Sequence, residues 1–402
     1  MKRQFLIFVL LVGTLILFVS FFEKEIFGDI VMGESSMFIQ KNVEPQELFD
    51  SSISLIQKNY FDSKLNGQNL KKWKNRYKGQ IKTDEDANVA INTVLESLDD
   101  PYSKYMGKEM FSEQISSISS KIIGIGVNIT SIGGKTYIVN VIEGTPADKE
   151  GLKEGDIIMK VDDEDVTGLK TSQVASRVRG EIDTIVKLSL VRNNKNITKR
   201  ITRKDIKIKN VKSKMDGDIG YIQVISFIGA STYKEFLNAL SQTQDSKGLI
   251  IDLRGNSGGL LPNAVYMANV FIPKGNIVSI VGRNGYKKHL KAQDIGYNID
   301  KPVILLIDEY SASASEIFSG ALKDYHKAIL VGTKTYGKGM VQRIIPLPND
   351  TGMNLTIAKY LTPNNTDINK KGIEPDLKIP YKKGKEDLQL KAAKGILNEL
   401  VR

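Results

Sequence analysis

The apolar run Val303-Ile304-Leu305-Leu306-Ile307, followed after a short polar turn by the helical period of Ser315-Glu316-Ile317-Phe318 through Asp324, constrains the fold of this 402-residue chain more than any other stretch. Five consecutive large aliphatic residues describe a buried strand rather than a half-exposed one, since no polar residue alternates with them. Similar apolar stretches at 219–227 and 249–253 alternate with helical patterns at 233–240 and 260–271. Strands alternating with helices imply a layered α/β fold with a mainly parallel sheet.

The segment Ser311-Ala312-Ser313-Ala314 falls on the turn from that strand into the next helix. The first amides of a helix lack internal partners and carry partial positive charge, so the Ala314 N–H suits an oxyanion formed when Ser313 attacks a carbonyl. Taken alone, Ser313-x-x-Glu316 reads first as a capping box, in which the two residues satisfy each other's backbone donors. A second segment, Gly337-Lys338-Gly339-Met340-Val341-Gln342, shifts the balance. A serine hydroxyl needs a base, and a lysine serves once burial leaves its amine neutral. Lys338 sits between two glycines that permit close backbone approach and follows the apolar strand at 329–331. Lys334, its rival, is flanked by Thr333 and Thr335 and carries no such sign. Gln342 suits the third role, orienting the amine through its side-chain oxygen, or else is an ordinary strand residue.

The chain has two histidines and no cysteine. His326 lies at the far end of the serine's own helix, about 20 Å away at ~1.5 Å per residue, and His289 lies among Lys287, Lys288 and Lys291. Neither suits a Ser-His pair. A lipase-type Gly-x-Ser-x-Gly elbow and a phosphate loop are both absent, and the motifs present call for neither a cofactor nor a metal.

Together the serine and lysine segments resemble the carboxyl-terminal processing peptidases, also called tail-specific proteases. Asp252-Leu253-Arg254-Gly255-Asn256-Ser257-Gly258-Gly259, Leu98-Asp99-Asp100-Pro101-Tyr102-Ser103 and Gly372-Ile373-Glu374-Pro375-Asp376 resemble further segments of that family. The resemblance implies Ser313 as nucleophile, Lys338 as base and Gln342 as support, with the amides of Gly259 and Ala314 as oxyanion hole. It also implies a ClpP/crotonase-like core and N-terminal helices that make a homodimer.

Ahead of the core, Gly124-Ile125-Gly126-Val127, Gly144-Thr145-Pro146-Ala147 and Gly155-Asp156-Ile157-Ile158 stand at the spacing of a PDZ domain, an inserted β-rich unit. Such a unit takes a free C-terminal carboxylate on the amides of its glycine loop while the peptide adds as a strand. Residues 116–121 depart from the family's glycine-containing approach to that loop. Arg179, near the end of the helix at 171–178, is the family's match for coupling tail capture to the core, against the commoner reading of a solvated arginine before a helix-ending glycine.

Lys2 and Arg3 precede eighteen uncharged residues at 5–22, with no small-residue cleavage site after them. This predicts a retained signal anchor, with the catalytic part on the extracytoplasmic side of the cell membrane. The formal charge of +11 invites a nucleic-acid reading, but no aromatic ladder or nucleic-acid motif accompanies the lysines, and attraction to an anionic membrane or envelope fits better. The expected order is a signal anchor at 1–22, a linker at 23–42, a helical dimerisation region at 43–110, a PDZ domain at 111–197 and a Ser-Lys protease core at 198–402. The expected function is a serine endopeptidase acting on protein or peptide substrates with free C-termini. The alternative is a membrane-anchored PDZ adaptor with a silent protease-like core.

Overall fold

The computed structural model describes residues 42–119, 122–206, 209–295, 298–381, 384 and 386–401. They divide into two compact units, one holding the residues up to Ile115 and from Lys209 onward, the other running Ser116–Ile208.

The larger unit is built on a six-stranded sheet in the order Val211–Asp216, Ile219–Val224, Gly248–Asp252, Val303–Ile307, Ile329–Gly332 and Leu377–Lys378. The first pair is antiparallel and the rest are parallel. Every residue of Gly248–Asp252 and Val303–Ile307 is buried, and successive side chains face opposite ways. Leu249, Ile251, Leu305 and Ile307 join the main core under the helices Thr232–Gln242, Leu261–Asn269 and Ala314–Asp324. Ile250, Ile304 and Leu306 meet Ala393 and Leu397 of the C-terminal helix Leu388–Leu400 on the other face. That helix is tied down at its N-cap, where Arg254 Nη1 reaches Asp387 at 2.9 Å and Arg254 Nη2 reaches Asp252 at 2.6 Å.

A second, antiparallel sheet in the same unit escaped the sequence reading. Its centre is the hairpin Met340–Leu347 with Thr351–Leu361, joined by strands Lys104–Met106, Asn276–Gly282 and Lys287–Lys291. The hairpin turns at Asn349 and Asp350, both at positive φ, which these two residue types tolerate better than most. The N-terminal helices Pro45–Asn59, Leu70–Tyr77 and Asp84–Glu96 pack on this sheet. Leu48, Phe49, Ile53 and Ile56 line one face of the first helix and meet Ile345, Leu347, Met353 and Leu355. Thr83 and Asp86 close a capping box at the start of Asp84–Glu96. The apolar face of the N-terminal region is therefore used within the larger unit.

The smaller unit carries a sheet in the order Val127–Ile132, Lys135–Val141, Ile157–Val161, Ile185–Arg192 and Lys195–Thr202, with Glu164–Asp165 beside the third strand. Val186, Leu188 and Leu190 alternate into its core against Val174 and Val178 of the helix Thr171–Val178. A two-stranded ribbon, Ile122–Gly124 with Lys204–Ile206, leads into the glycine loop.

One expectation is corrected. The anchor at residues 1–22 lies outside the described residues, and among those described no helix is long and apolar enough to cross a membrane. The longest, Pro45–Asn59, has 15 residues and carries Glu47 and Lys58, whereas a span takes about 20 apolar residues. Placement as a single-pass cell-membrane protein with an extracytoplasmic catalytic part is withdrawn.

Candidate active site

Ser313 stands at the N-cap of Ala314–Asp324 with φ 55° and ψ −113°, a combination that costs an L-residue energy and that only over-determined surroundings maintain. Its surroundings do this. The Ser313 N–H donates to Glu316 Oε2 at 2.9 Å. Its carbonyl accepts from the amides of Glu316 and Ile317 at 2.9 and 3.0 Å and from the buried Tyr360 hydroxyl at 3.1 Å. The turn is also stitched to 252–259: Ser311 Oγ donates to the Leu253 carbonyl at 2.9 Å, and Ser315 Oγ donates to that of Asn256 at 2.8 Å. The Ser313 side chain remains half-buried at the surface of this framework.

Glu316 is the hinge of the site. Fully buried, its carboxylate accepts four hydrogen bonds, from Ser313 N–H, from Thr335 Oγ1 at 2.6 Å, from Gly337 N–H at 2.7 Å and from Lys338 N–H at 2.9 Å. The amides of Ser313 and Lys338 share one oxygen, Oε2, and so lie less than about 6 Å apart. Burial pushes the carboxyl above its ordinary range, and the four donors offset only part of that rise. The cap expected from Ser313-x-x-Glu316 is thus half formed, and the same glutamate fastens the lysine segment 22 residues on.

The two glycines around Lys338 are required by close passage against residues 369–372. A Cβ at Gly337, where φ is +90°, would lie 2.8 Å from the Gly372 nitrogen, and one at Gly339 would lie 2.8 Å from Asn369. Between them the Lys338 side chain is half-buried, and its Nζ lies 4.7 Å from the ring centroid of Tyr102. Burial holds its pKa below the usual lysine value, opposed by the negative charges of Asp100 and Glu316. Lys334 points elsewhere, exposed and paired with Glu374 at 3.1 Å.

Gly258 brings the glycine turn against the serine. A Cβ there would lie 2.6 Å from the Ala312 oxygen, 2.9 Å from the Ala314 nitrogen and 3.0 Å from Ser313 Cβ, and φ is +101°. Gly259 follows at φ +147°, bridged to Phe227. Among the described residues, neither the Gly259 nor the Ala314 amide has an acceptor. Gln342 lies on the strand beside Lys338, and its Nε2 donates to Thr356 Oγ1 at 3.3 Å. Both histidines are exposed, with His289 Nδ1 2.9 Å from Ser279 Oγ.

In the smaller unit Gly124 ends the ribbon, Ile125 is buried, Gly126 has φ +90° and Val127 opens the edge strand of the sheet. The carbonyls of Ile125 and Gly126 accept from Ala147 and Ile142 at 2.8 and 2.9 Å, while their amides have no acceptor among the described residues. Arg179 is exposed at the end of the helix. The arginine buried there is Arg203, whose Nε and Nη2 donate to the carbonyls of Val178 and Arg177 at 2.9 and 3.1 Å. Sequence reasoning passed over Arg203 and Tyr360, and quoted Gly258 and Tyr102 only as parts of longer segments, with no role of their own. Glu316 was visible only as a cap, because nothing local distinguishes a glutamate that bonds forward 22 residues.

Residues 218–379 match Peptidase family S41 and residues 124–202 match a PDZ domain. A carboxyl-terminal-processing protease of Synechocystis is 33% identical over 345 residues, which are 83% of this chain and 80% of that protein. The chain belongs to the carboxy-terminal processing proteases of peptidase family S41. Carboxy-terminal processing protease CtpA of Bacillus subtilis is 40% identical over 304 residues, 74% of this S41 protease, which spans 65% of that relative's length. The solved photosystem II D1 C-terminal processing protease matches with a TM-score of 0.58 at 27% identity, covering 90% of this chain and 98% of that one. This S41 protease therefore has the expected fold, a mixed α/β protease core with a PDZ domain, and is an enzyme of the serine-type processing class.

Proposed function

We propose that this S41 protease is an endopeptidase with a Ser313-Lys338 catalytic pair, supported by Gln342, that takes protein substrates by a free C-terminus. The observation that carries the reading is the shared Glu316 Oε2, which brings the amides of a strained serine and a half-buried lysine together. Neutral Lys338 accepts the Ser313 hydroxyl proton as the oxygen attacks a substrate carbonyl. The amides of Gly259 and Ala314 donate to the resulting oxyanion, each worth about 10²–10³ in rate. The lysine ammonium then protonates the leaving amine, and the acyl-enzyme remains. Lys338, neutral again, takes a proton from water as it attacks the ester, and returns that proton to Ser313.

In the same reading the PDZ domain, residues 111–197, receives the tail carboxylate on the amides of Gly124, Ile125, Gly126 and Val127. The substrate then pairs with the free edge of Val127–Ile132. Arg179 carries the coupling to cleavage, and residues 43–110 contribute to a homodimer. A monomeric mass in sedimentation would remove the dimer from the proposal.

The test is cleavage of an unfolded reporter with a free apolar C-terminus by the full chain, set against Ser313→Ala, Lys338→Ala and a tail-amidated reporter. Both variants are expected to be inactive, and amidation to slow cutting by the unaltered chain. Tail binding with no cleavage by the unaltered chain would favour the adaptor. Cutting by Ser313→Ala would end the Ser-Lys reading.

A further inference from the structure

The reaction above leaves the aromatic neighbour of Lys338 without a task. The Lys338 Nζ rests 4.7 Å from the Tyr102 ring centroid and makes no hydrogen bond or ion pair among the described residues. The turn that carries the ring is fixed by hydrogen bonds on both sides of Tyr102. Tyr102 N–H donates to Asp100 Oδ1 at 3.0 Å, and Ser103 Oγ donates to Asp100 Oδ2 at 2.6 Å. Ser103 Oγ in turn accepts from the Thr356 N–H at 3.0 Å. Thr356 lies on Thr351–Leu361, the strand whose Tyr360 hydroxyl reaches the Ser313 carbonyl. One strand therefore sets both the serine turn and the ring that faces the lysine.

We propose that Tyr102 is a positioning residue of the reaction, its ring forming the wall that keeps the Lys338 amine at the serine turn and water away from it. The inference rests on the Ser-Lys reading. Two effects of the ring oppose each other. Its π face attracts the ammonium, which favours the charged lysine. Its bulk withholds water, which favours the neutral one. Asp100 on the same turn and Glu316 on the serine helix add to the first effect. Tyr336 lies beside the Tyr102 hydroxyl. Burial as a whole holds the amine's pKa down despite both carboxylates, and the ring, 4.7 Å from Nζ, is part of what buries it.

Replacing the ring with a polar group readmits water and lets the amine return toward its ordinary pKa. The experiment compares kcat and KM against pH for the full chain, Tyr102→Phe, Tyr102→Gln and Tyr102→Ser, on a short peptide substrate. Tyr102→Phe keeps the wall and is expected to keep the acid limb of the profile. Tyr102→Gln and Tyr102→Ser are expected to move that limb up by about one pH unit, lowering kcat about tenfold on the acid side with KM unchanged. Tyr102→Gln refills most of the ring's volume and so guards against loss of fold, checked by thermal unfolding. An acid limb that stays in place in both polar variants, or a rise in KM alone, overturns the inference while leaving the Ser-Lys reading intact. Activity surviving in Ser313→Ala or Lys338→Ala would instead overturn the reading beneath it.

Discussion

Glu316 is asked to accept four hydrogen bonds at once, and no neutral side chain of its size can do so. Glu316→Gln would turn an NH2 group toward backbone N–H donors, leaving at least one of them unpaired in a dry site. The expected cost is about 1–3 kcal/mol of stability. Because Ser313 and Lys338 hang on the same oxygen, displacement of either should also lower kcat on the order of 10²-fold. Hydrolysis rates and thermal unfolding of one preparation measure both. Lys338 sets a second expectation. Only its neutral form takes a proton, and its pKa is lowered by burial. Activity should therefore be retained above that pKa and fall as pH drops through it, and a profile flat into acid would refute the base assignment. Lys338→Arg, which stays charged at every accessible pH, should be inactive throughout.

At the scale of elements, the glycine loop of the PDZ domain has one position, Gly126, that tolerates no Cβ. At Gly126 a Cβ would lie 2.4 Å from Thr145 Oγ1, and φ is +90°. Gly126→Ala should push the loop out of line and weaken binding of a free-tailed peptide by about tenfold or more. Cutting of a short peptide with an amidated end should be unchanged. Calorimetry with the tail peptide and a parallel cleavage assay separate the two, and equal loss in both assays would refute a role confined to tail capture. The loop was legible in sequence because turn glycines carry their requirement locally. The antiparallel hairpin Met340–Leu347 with Thr351–Leu361 was not, because its strands mix buried and half-buried residues without clean alternation.

For the whole molecule, the N-terminal helices are structural partners of the catalytic unit rather than an appendage. Phe49, on the first helix, is fully buried against Tyr77, in the cluster that also holds Ile345 and Met353 of the hairpin Met340–Leu347 with Thr351–Leu361. Phe49→Ala should cost about 3–5 kcal/mol, and because the hairpin carries Gln342, catalysis and stability should fall together on heating. A loss of stability with a catalytic melting point unchanged would show that the helices and the core unfold separately.

By itself the sequence determined the strand-turn-helix at Val303–Ile307 and Ala314–Asp324, the serine at its turn, the glycine-flanked lysine and the glycine loop. Each of these states its requirement within a few residues, through buried apolar runs or backbone conformations that only glycine allows. Tertiary structure alone decided that Glu316 joins the serine turn to the lysine segment, that the Tyr102 ring lies against the Lys338 amine and that the Tyr360 hydroxyl donates to the serine carbonyl. The Glu316–Lys338, Ser313–Tyr360 and Tyr102–Lys338 contacts connect residues from 22 to more than 200 positions apart. A hydrogen bond or a ring face leaves no periodic mark on the chain, so only folding reveals which distant residue supplies it.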